Sequence, residues 1–234
     1  MKKAVIFDLY DTVLKNESFD FVRGVTYVHE HYLSDTCTFE EFKVYTDTFL
    51  PLYHQRHVDH SEVYFVKDEL PLWFSHFGKT MPTDVDNLEY AIMSAMQCGG
   101  ILNDVRYVLD ELKARGIPMY ILSNTIFTAR ATKAHLAHHG ILHYFEEVYA
   151  SADFGVRKPS PRFFDAAIAD IFRRHSDLSK EDLLFVGNDY VTDAHGGVAA
   201  GIDTVWYNVE DAANEDDLDV AIVKDFKDVL NLIE

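Results

Sequence analysis

The chain begins with a short, continuous run of apolar residues that gives way at once to polar ones. Residues 4–7 are Ala-Val-Ile-Phe, and Asp8 follows directly. A continuous apolar run of this kind predicts a strand that is buried on both faces, as in a parallel sheet. Ligands of open α/β sheets bind beyond the carboxyl ends of the strands, so Asp8 is expected at a functional edge. On its own, Asp8 is equally compatible with a strand-ending residue that caps the next turn.

Residues 17–97 have a helical pattern that is rich in aromatic residues and histidines. The predicted helices cover residues 39–53, 61–77 (with a kink or break at Pro71) and 84–96. Thr38 with Glu41 resembles a capping box at the start of the first of these helices. No part of this stretch has a convincing strand pattern. We therefore predict an all-helical insertion over residues 17–97.

From residue 101 onward, short apolar runs alternate with helical patterns. The predicted strands cover residues 118–122, 147–150, 183–186 and 204–207. The predicted helices cover residues 104–115, 127–139, 161–175, 191–200 and 226–233. Alternating strands and helices predict parallel βαβ units with right-handed crossovers. The predicted fold class is α/β, a Rossmann-like doubly wound parallel sheet formed by residues 1–16 and 98–234 and interrupted by the helical insertion.

Composition and charge exclude several classes of protein and several kinds of partner. The 234 residues carry a formal net charge of -18 at pH 7, which argues against binding to nucleic acid or to an anionic membrane. Two cysteines, Cys37 and Cys98, are too few for a disulfide framework. The apolar run after Lys3 is too short for a signal peptide, and no run reaches a membrane-spanning length. We therefore predict a soluble, cytoplasmic protein.

Polar residues follow the ends of several predicted strands. They are Asp8 after the first strand, Ser123 and Asn124 after the second, and Asn188, Asp189 and Asp193 after a later one, with Lys158 in between. Each of them alone is explained as a helix cap or a solvated charge. If the strands are parallel neighbours, however, all these groups converge at one edge of the sheet. We therefore interpret them as a catalytic site.

In this order the residues resemble the four motifs of the haloacid dehalogenase (HAD) superfamily of hydrolases. The matching stretches are residues 8–12 (Asp-Leu-Tyr-Asp-Thr), the apolar run ending in Ser123 and Asn124, residues 158–161 (Lys-Pro-Ser-Pro) with Phe163 and Phe164, and residues 186–197. A helical insertion after the first motif is similar to the C1 cap of subfamily I. The resemblance implies an α/β hydrolase core with a helical cap that acts on a small anionic metabolite.

The resemblance also implies a role for each matched residue. Asp8 is expected to be the nucleophile, forming a covalent aspartyl intermediate that water then hydrolyses. The hydroxyls of Thr12 and Ser123 are expected to hold anionic oxygens of the substrate, with Asn124 helping to position the transferred group. Lys158 is expected to neutralise charge between nucleophile and substrate.

Residues of the last motif are expected to orient the lysine and to bind a metal ion. Asp193 would orient the lysine, the water shell of the metal or the hydrolytic water. In the phosphatase branch, Mg²⁺ bridges the nucleophile Asp8, the backbone carbonyl two residues later (Tyr10) and an acid of the last motif. The candidates for that last ligand are Asn188 and Asp189.

Two positions depart from the phosphatase pattern. Phosphatases of this superfamily have an aspartate two residues after the nucleophile as general acid and base, whereas this chain has Tyr10. A phenol donates a proton but is a poor base near neutral pH. Asn188, an uncharged amide, stands where an acid is expected, so that either Asp189 takes over the metal or Mg²⁺ binds more weakly.

A tyrosine at this position is typical of the 2-haloacid dehalogenase branch, in which the halide leaves without a proton and no metal is required. That branch also holds the substrate carboxylate with an arginine of the cap. The candidates for substrate contacts are Arg23, Arg56 and Asp11. Asp11 is also a candidate for the general acid and base that position 10 lacks. We therefore predict a Mg²⁺-dependent phosphatase acting on a small phosphorylated metabolite. The alternatives are a 2-haloacid dehalogenase-type hydrolase and a catalytically impaired ligand-binding protein.

Overall fold

The computed structural model describes residues 1–233. Its strands are β1 (Ala4–Phe7), β2 (Ser18–Phe19), β3 (Gln97–Cys98), β4 (Met119–Ser123), β5 (Phe145–Ala150), β6 (Leu183–Gly187), β7 (Asp203–Tyr207) and β8 (Ala221–Val223). Its α-helices are α1 (Phe21–Val28), α2 (Phe39–Asp47), α3 (Leu50–Asp59), α4 (Phe65–Asp68), α5 (Leu70–His76), α6 (Val85–Met96), α7 (Val105–Ala114), α8 (Ala129–His138), α9 (Ser151–Phe154), α10 (Pro161–Arg174) and α11 (Gly196–Ala199). Two π-helical turns cover His29–Leu33 and Tyr190–His195, and 3₁₀ turns cover Leu142–Tyr144, Lys180–Asp182 and Phe226–Leu232. Within residues 1–233, no helix combines the length and the apolar character that crossing a membrane requires.

Six strands form one parallel sheet in the order β5-β4-β1-β6-β7-β8. β1 is central, because it pairs in parallel with β4 on one side and with β6 on the other. Phe7 is level with Ile121 of β4 and with Val186 of β6, so the carboxyl ends of these three strands lie side by side. The predicted α/β class is confirmed, and the polar residues that follow the three strands share one edge.

Successive residues of β1 contribute to opposite faces of the sheet. Val5 and Phe7 belong to a buried cluster with residues of α7 and of the C-terminal 3₁₀ turn. Ala4 and Ile6 belong to a second cluster with residues of α10. Helices therefore cover both faces, which explains why this strand is apolar throughout and does not alternate with polar residues.

Residues 20–96, which we call the helical segment, contain a third buried cluster. It runs from Val25 to Met96 and includes the fully buried indole of Trp73. Ile126 and Phe127, from the loop after β4, belong to the same cluster. The helical segment thus has an apolar core of its own, which also contacts the loop that follows one of the central strands.

The predicted helices of the helical segment are present but are broken in two places. Thr38 and Glu41 form the predicted capping box at the start of α2. The helix predicted over residues 39–53 is two helices, α2 and α3, and the helix predicted over residues 61–77 is α4 and α5. Pro71 lies in the first turn of α5, where its missing N–H costs no helical hydrogen bond. Pro71 was predicted either to kink or to break this helix, and the structure shows a break.

The prediction that this part of the chain contains no strand was wrong. β2 and β3 pair antiparallel and join the two ends of the helical segment. Each strand has two residues, which is too short for an alternating pattern to be recognised. β8 was missed because it is also very short. The helix predicted over residues 191–200 is a π-helical turn followed by α11.

Past β3 the chain crosses very close to the loop that precedes β2. A Cβ on Gly99 would lie 1.7 Å from the carbonyl oxygen of Lys15, and the residue has a φ of +152°. Two backbone hydrogen bonds join the two segments here, from the Lys15 N–H to the Gly100 carbonyl (2.7 Å) and from the Glu17 N–H to the Cys98 carbonyl (2.9 Å). The crossing therefore requires a glycine at position 99.

Replacing this glycine tests whether the crossing holds the two ends of the helical segment together. Gly99→Ala is expected to lower the free energy of unfolding by about 2 kcal/mol or more, because the new methyl group must displace the Lys15 carbonyl. Gly100→Ala is the matched control, since a Cβ there meets nothing within 4 Å, and it should cost less than about 1 kcal/mol. Urea unfolding measures both variants. Equal stability of the two would contradict the crowding at Gly99.

Candidate active site

A buried ammonium lies between two carboxylates at the carboxyl edge of the sheet. Lys158 Nζ donates to Asp8 Oδ1 and to Asp193 Oδ1, in each case at 2.6 Å. Asp8 directly follows β1, and its N–H donates to the Val186 carbonyl of β6 at 2.8 Å. All three charged residues are buried, and Lys158 is only 1% exposed. The structure thus brings three of the predicted site residues into one cluster.

Burial and charge together set the protonation of this cluster. Burial raises the pKa of Asp193 to about 7, although Lys158 acts in the opposite direction. Burial by itself would lower the pKa of Lys158, but Asp193 and Asp8 outweigh that effect and raise it above its usual value. Lys158 therefore stays an ammonium near neutral pH and keeps a positive charge beside Asp8.

Asp193 reaches the cluster because β6 ends in a glycine. A Cβ on Gly187 would lie 2.5 Å from both the Cβ and the Cγ of Asp193, closer than real side chains approach. Asp193 Oδ2 also accepts the N–H of Asp189 at 3.0 Å. With one oxygen on the backbone and the other on Lys158, Asp193 has the geometry of a residue that positions the lysine, which agrees with one of its predicted roles.

Thr12 contacts the predicted nucleophile itself. Its Oγ1 lies 3.1 Å from Asp8 Oδ2 and 3.2 Å from Asn188 Oδ1. A hydroxyl has one proton and donates to one of these oxygens at a time. Thr12 therefore orients the Asp8 carboxylate, and its position brings together two of the predicted metal-binding side chains.

Ser123 and Asn124, at the end of β4, differ in their surroundings. Asn124 Nδ2 donates to the carbonyl of Lys158 at 3.1 Å, and its Oδ1 accepts the N–H of Lys158 at 2.8 Å. Asn124 therefore holds the backbone of the lysine, whereas it was expected to help position the transferred group. Ser123 is fully buried, and its Oγ has no hydrogen-bond partner among residues 1–233. That hydroxyl is therefore a donor without a partner at the carboxyl edge of the sheet.

Tyr10 donates its phenol proton to Gln97 Oε1 of β3 at 2.7 Å. Burial raises the pKa of Tyr10 above its usual value, although the bond to Gln97 opposes this. The phenol thus remains protonated and uses its proton to join the loop after β1 to the strand that closes the helical segment. This geometry does not support a general acid at Tyr10. Gln97 was missed because nothing in its sequence neighbourhood distinguishes it from a helix end.

Two of the predicted acids are engaged with the backbone around them. Asp11 is exposed, and its Oδ1 accepts the N–H of Asn16 at 3.0 Å. Asp189 is also exposed, and its Oδ1 accepts the N–H of Thr192 at 2.6 Å, which caps the following π-helical turn. The structure therefore places neither carboxylate at Lys158, and Asp189 caps the π-helical turn that contains Asp193.

The two predicted arginines have partners within the chain. Arg23 Nη1 lies 2.7 Å from Cys98 Sγ, and Arg56 Nη1 pairs with Glu62 Oε1 at 2.8 Å. Glu62 also lies near Arg157, since Arg157 Nε is 3.9 Å from Glu62 Oε2. Arg157 and Glu62 were missed, and the only sequence signal for Arg157 was its position next to Lys158.

The oxygen ligands near Asp8 fit a weakly held magnesium ion. Among residues 1–233, no three His, Cys, Asp or Glu side chains are grouped as a metal site. Asp8 Oδ2 and Asn188 Oδ1 nevertheless converge on the Thr12 hydroxyl, and both are oxygen donors of the kind that Mg²⁺ prefers. Mg²⁺ is commonly bound through one or two carboxylates together with water and substrate phosphate, so one carboxylate and one amide are sufficient.

Removing the lysine tests the charge balance of the cluster. Lys158→Met is expected to lower the free energy of unfolding by about 3 kcal/mol or more near pH 8, because two buried carboxylates lose their cation. Without the ammonium, the pKa of Asp193 rises further above its value in the unfolded chain, so the variant binds a proton more tightly when folded and loses stability as the pH rises. The loss should therefore be smaller near pH 6.

The control for this prediction removes an ammonium that is partly exposed. Lys43→Met breaks the pair with Asp47 on the surface of α2, which should cost less than about 1 kcal/mol at both pH values. Urea unfolding near pH 6 and pH 8 measures both variants. A loss in Lys158→Met that does not depend on pH would contradict the role of Asp193 described above.

Comparisons with known proteins assign the family. The family model of haloacid dehalogenase-like hydrolases matches residues 2–201. The pyrimidine 5'-nucleotidase PynA of Streptococcus pneumoniae is 28% identical over 211 residues, which cover 88% of this chain and 84% of that protein. The pyrimidine 5'-nucleotidase YjjG of Escherichia coli is 26% identical over 206 residues, which cover 87% of this chain and 85% of that protein.

A solved structure shows the same fold. The crystal structure of 2-haloacid dehalogenase from Pseudomonas syringae pv. Tomato DC3000 has a TM-score of 0.69 at 20% sequence identity, over 100% of this chain and 98% of that chain. The family match covers most of the chain, and the sheet and the order of its motifs agree with it. The chain therefore belongs to the haloacid dehalogenase-like hydrolases.

Proposed function

We propose that this hydrolase is a Mg²⁺-dependent phosphatase of pyrimidine nucleoside 5'-monophosphates, with Asp8 as its nucleophile. The observation that carries the proposal is the buried ammonium of Lys158, 2.6 Å from both Asp8 Oδ1 and Asp193 Oδ1. It lets an anionic nucleophile meet an anionic substrate. Two relatives that match more than four fifths of the chain are both named pyrimidine 5'-nucleotidases, which supports the choice of substrate.

The reaction has two steps at the Asp8 carboxylate. In the first, an oxygen of Asp8 attacks phosphorus, the bond from phosphorus to the ester oxygen breaks, and the departing nucleoside oxygen takes a proton from solvent water. In the second, water attacks phosphorus and gives a proton to the solvent, the bond from phosphorus to Asp8 breaks, and inorganic phosphate is released. Lys158 reduces the repulsion between Asp8 and the phosphate. Thr12 orients the carboxylate, and the unpaired Ser123 hydroxyl donates to a phosphate oxygen.

The charge of the site favours a divalent cation. The cluster consists of two carboxylates, Asp8 and Asp193, and one ammonium, Lys158, so it has no net positive charge. When bound, Mg²⁺ would neutralise the phosphate oxygens and polarise phosphorus for attack. Asp8, the Tyr10 carbonyl and Asn188 are the groups that would hold it. Because Asn188 contributes no charge, weak binding is expected.

A 2-haloacid dehalogenase is the second candidate because Tyr10 stands at the position of the phosphatase acid. A departing halide needs no proton, which suits a phenol whose proton is bonded to Gln97. A haloacid, however, has a carboxylate that needs a cation. Arg23 lies against Cys98 and Arg56 is paired with Glu62, so neither arginine is poised as such a clamp. The phosphatase is therefore the better-supported function.

We also propose that residues 17–97 act as a cap over a core of residues 1–16 and 98–234. The helical segment has its own buried cluster, and β2 with β3 joins its two ends to the core. The free cysteines Cys37 and Cys98 are compatible with the reducing cytoplasm, where we place the enzyme and its small phosphorylated substrate.

An activity assay tests the proposed reaction. The protein is expected to release phosphate from uridine 5'-monophosphate with Mg²⁺ and to lose that activity with EDTA. Asp8→Asn should lower kcat by at least about a thousandfold, because the nucleophile is lost. Asp47→Asn is the matched control, an identical change at the surface partner of Lys43.

The contrary outcomes of this assay separate the alternatives. Chloride release from 2-chloropropionate without phosphate release from any ester would assign the dehalogenase. If wild type and Asp8→Asn released phosphate equally slowly, the protein would instead be a ligand-binding member of the family.

The bond between Tyr10 and Gln97 predicts a strong dependence on the leaving group. With no carboxylic acid at position 10, kcat/KM for a series of aryl phosphates should fall steeply as the pKa of the leaving phenol rises. Tyr10→Asp should make this slope shallower and raise turnover of the poorest leaving group by about tenfold or more. Tyr10→Phe removes only the bond to Gln97 and should keep the wild-type slope. A steeper slope in Tyr10→Phe would identify Tyr10 as the acid after all.

A further inference from the structure

The buried carboxylate of Glu62 lies where the helical segment contacts the loops at the carboxyl edge of the sheet. Its side chain is 0% exposed. Glu62 Oε1 accepts from Arg56 Nη1 at 2.8 Å and from the N–H of Val63 at 3.1 Å, and both donors belong to the helical segment. A buried carboxylate needs such partners, because hydrogen bonds and opposite charges must offset the cost of removing it from water.

The other oxygen of Glu62 contacts groups that follow two parallel strands. The hydroxyl of Ser151, the residue directly after β5, lies 2.8 Å from Glu62 Oε2 and 3.0 Å from the carbonyl of Thr125, and its one proton is donated to one of them at a time. This hydroxyl also accepts the N–H of Thr125, two residues after β4, at 2.8 Å. Arg157 Nε lies 3.9 Å from Glu62 Oε2, which is an ion pair without a hydrogen bond.

The backbone at Glu62 pairs with the segment that leads to Lys158. Residues 60–62 form a short antiparallel bridge with residues 155–157. Its two hydrogen bonds run from the Glu62 N–H to the Gly155 carbonyl (3.1 Å) and from the Arg157 N–H to the His60 carbonyl (2.9 Å). The helical segment therefore holds the chain directly before the lysine, through its backbone and through the Glu62 side chain.

Lys158 is thus held from two directions. Asn124 bonds to its N–H at 2.8 Å and to its carbonyl at 3.1 Å, whereas the helical segment holds the residue before it. From this backbone Lys158 Nζ reaches Asp8 and Asp193 at 2.6 Å. Misplacing a catalytic group by about 1 Å can cost about a hundredfold in rate. The position of this backbone is therefore a route by which the helical segment affects the chemistry.

We propose that Glu62 is a positioning residue for Lys158. Its carboxylate holds the Arg157 side chain and the adjacent bridge, and with them the backbone from which Lys158 reaches Asp8. The proposal rests on the nucleophile and the lysine of the proposed function, but it does not depend on which phosphate ester is the substrate. Because the Glu62 side chain is fully buried, it acts through Lys158 and not by contact with the substrate.

Kinetics with p-nitrophenyl phosphate test this role, because its leaving group departs without a proton and requires no recognition of a nucleoside. Glu62→Gln keeps the shape of the side chain but removes the charge beside Arg56 and Arg157, and it is expected to lower kcat/KM by about tenfold to a hundredfold. Glu89→Gln is the matched control, since Glu89 is another buried carboxylate of the helical segment, but its partner is Thr128 at the start of α8. It should lower kcat/KM by less than about threefold.

A second comparison separates positioning of Lys158 from a general loss of structure. In the Lys158→Met background, Glu62→Gln should lower kcat/KM by less than about twofold, because no ammonium is left to position. The rates are measured near pH 6, where Lys158→Met is expected to be less destabilised. A purely structural role would instead lower the rate by the same factor in both backgrounds.

Amide hydrogen exchange tests the same link without any reaction. The N–H groups of Arg157 and Lys158 are bonded to His60 and Asn124, and Glu62→Gln should speed their exchange by about tenfold, whereas Glu89→Gln should not change it. If Glu62→Gln does not fold, Arg157→Met takes its place. It removes the guanidinium beside Glu62 and should speed exchange and lower kcat/KM by about threefold or more.

The outcomes distinguish this inference from the proposed function. If wild type hydrolyses p-nitrophenyl phosphate but Glu62→Gln and Glu89→Gln lose rate equally, or the loss persists in full in Lys158→Met, the inference alone is overturned. Unchanged exchange at Arg157 and Lys158 in Glu62→Gln overturns it as well.

A different reaction would overturn the proposed function instead. If wild type releases chloride from 2-chloropropionate and no phosphate from esters, the phosphatase is wrong, and the same variants are compared by chloride release, since Lys158 lies beside Asp8 in either reaction. The same factors in chloride release would then support the inference on its own. If wild type runs neither reaction, both proposals are overturned.

Discussion

The site depends on the buried ammonium of Lys158, which needs hydrogen-bond acceptors and opposite charges around it. Moving an ion out of water costs several kcal/mol unless hydrogen bonds and opposite charges offset the loss. Lys158 meets that requirement with Asp8 and Asp193 at its Nζ, and Asn124 holds its backbone from both sides. The glycine that ends β6 belongs to the same arrangement, because only its missing side chain lets Asp193 approach. The position of the Asp8 carboxylate thus depends on Lys158 and on the groups that hold Lys158 in place.

The same charge balance explains why phosphate binding would need an additional cation. One ammonium facing two carboxylates cannot by itself attract a phosphate, and the whole chain carries a net charge of -18. The proposed Mg²⁺ would restore the balance, and the oxygens of Asp8 and Asn188 that contact Thr12 are the side-chain groups that would hold it. Tyr10 makes a different contribution. Its hydroxyl bonds to Gln97 and so connects the loop after β1 to β3, the strand that closes the helical segment.

The helical segment combines an apolar core with an unusual polar interior. Its aromatic residues give it a buried cluster of its own, which includes the fully buried indole of Trp73. The same interior holds the carboxyl group of Glu69, which is 1% exposed and whose pKa burial raises to about 7. Stability alone would favour an apolar group at this position, because burying an ionised group weakens the folded state.

Much of the fold could be predicted from the local pattern of apolar and polar residues. Continuous apolar strands followed by polar residues predicted the parallel sheet and the edge at which Asp8 and Lys158 meet, because burial on both faces gives strands without polar residues. The helix breaks, β2 and β3, and the partners of Tyr10 and Asn124 required the folded chain. Tyr10 and Gln97 are 87 positions apart, and Asn124 and Lys158 are 34 apart. Periodicity indicates which face of an element is buried but not which distant side chain that element contacts, so these hydrogen bonds appear only in the tertiary structure.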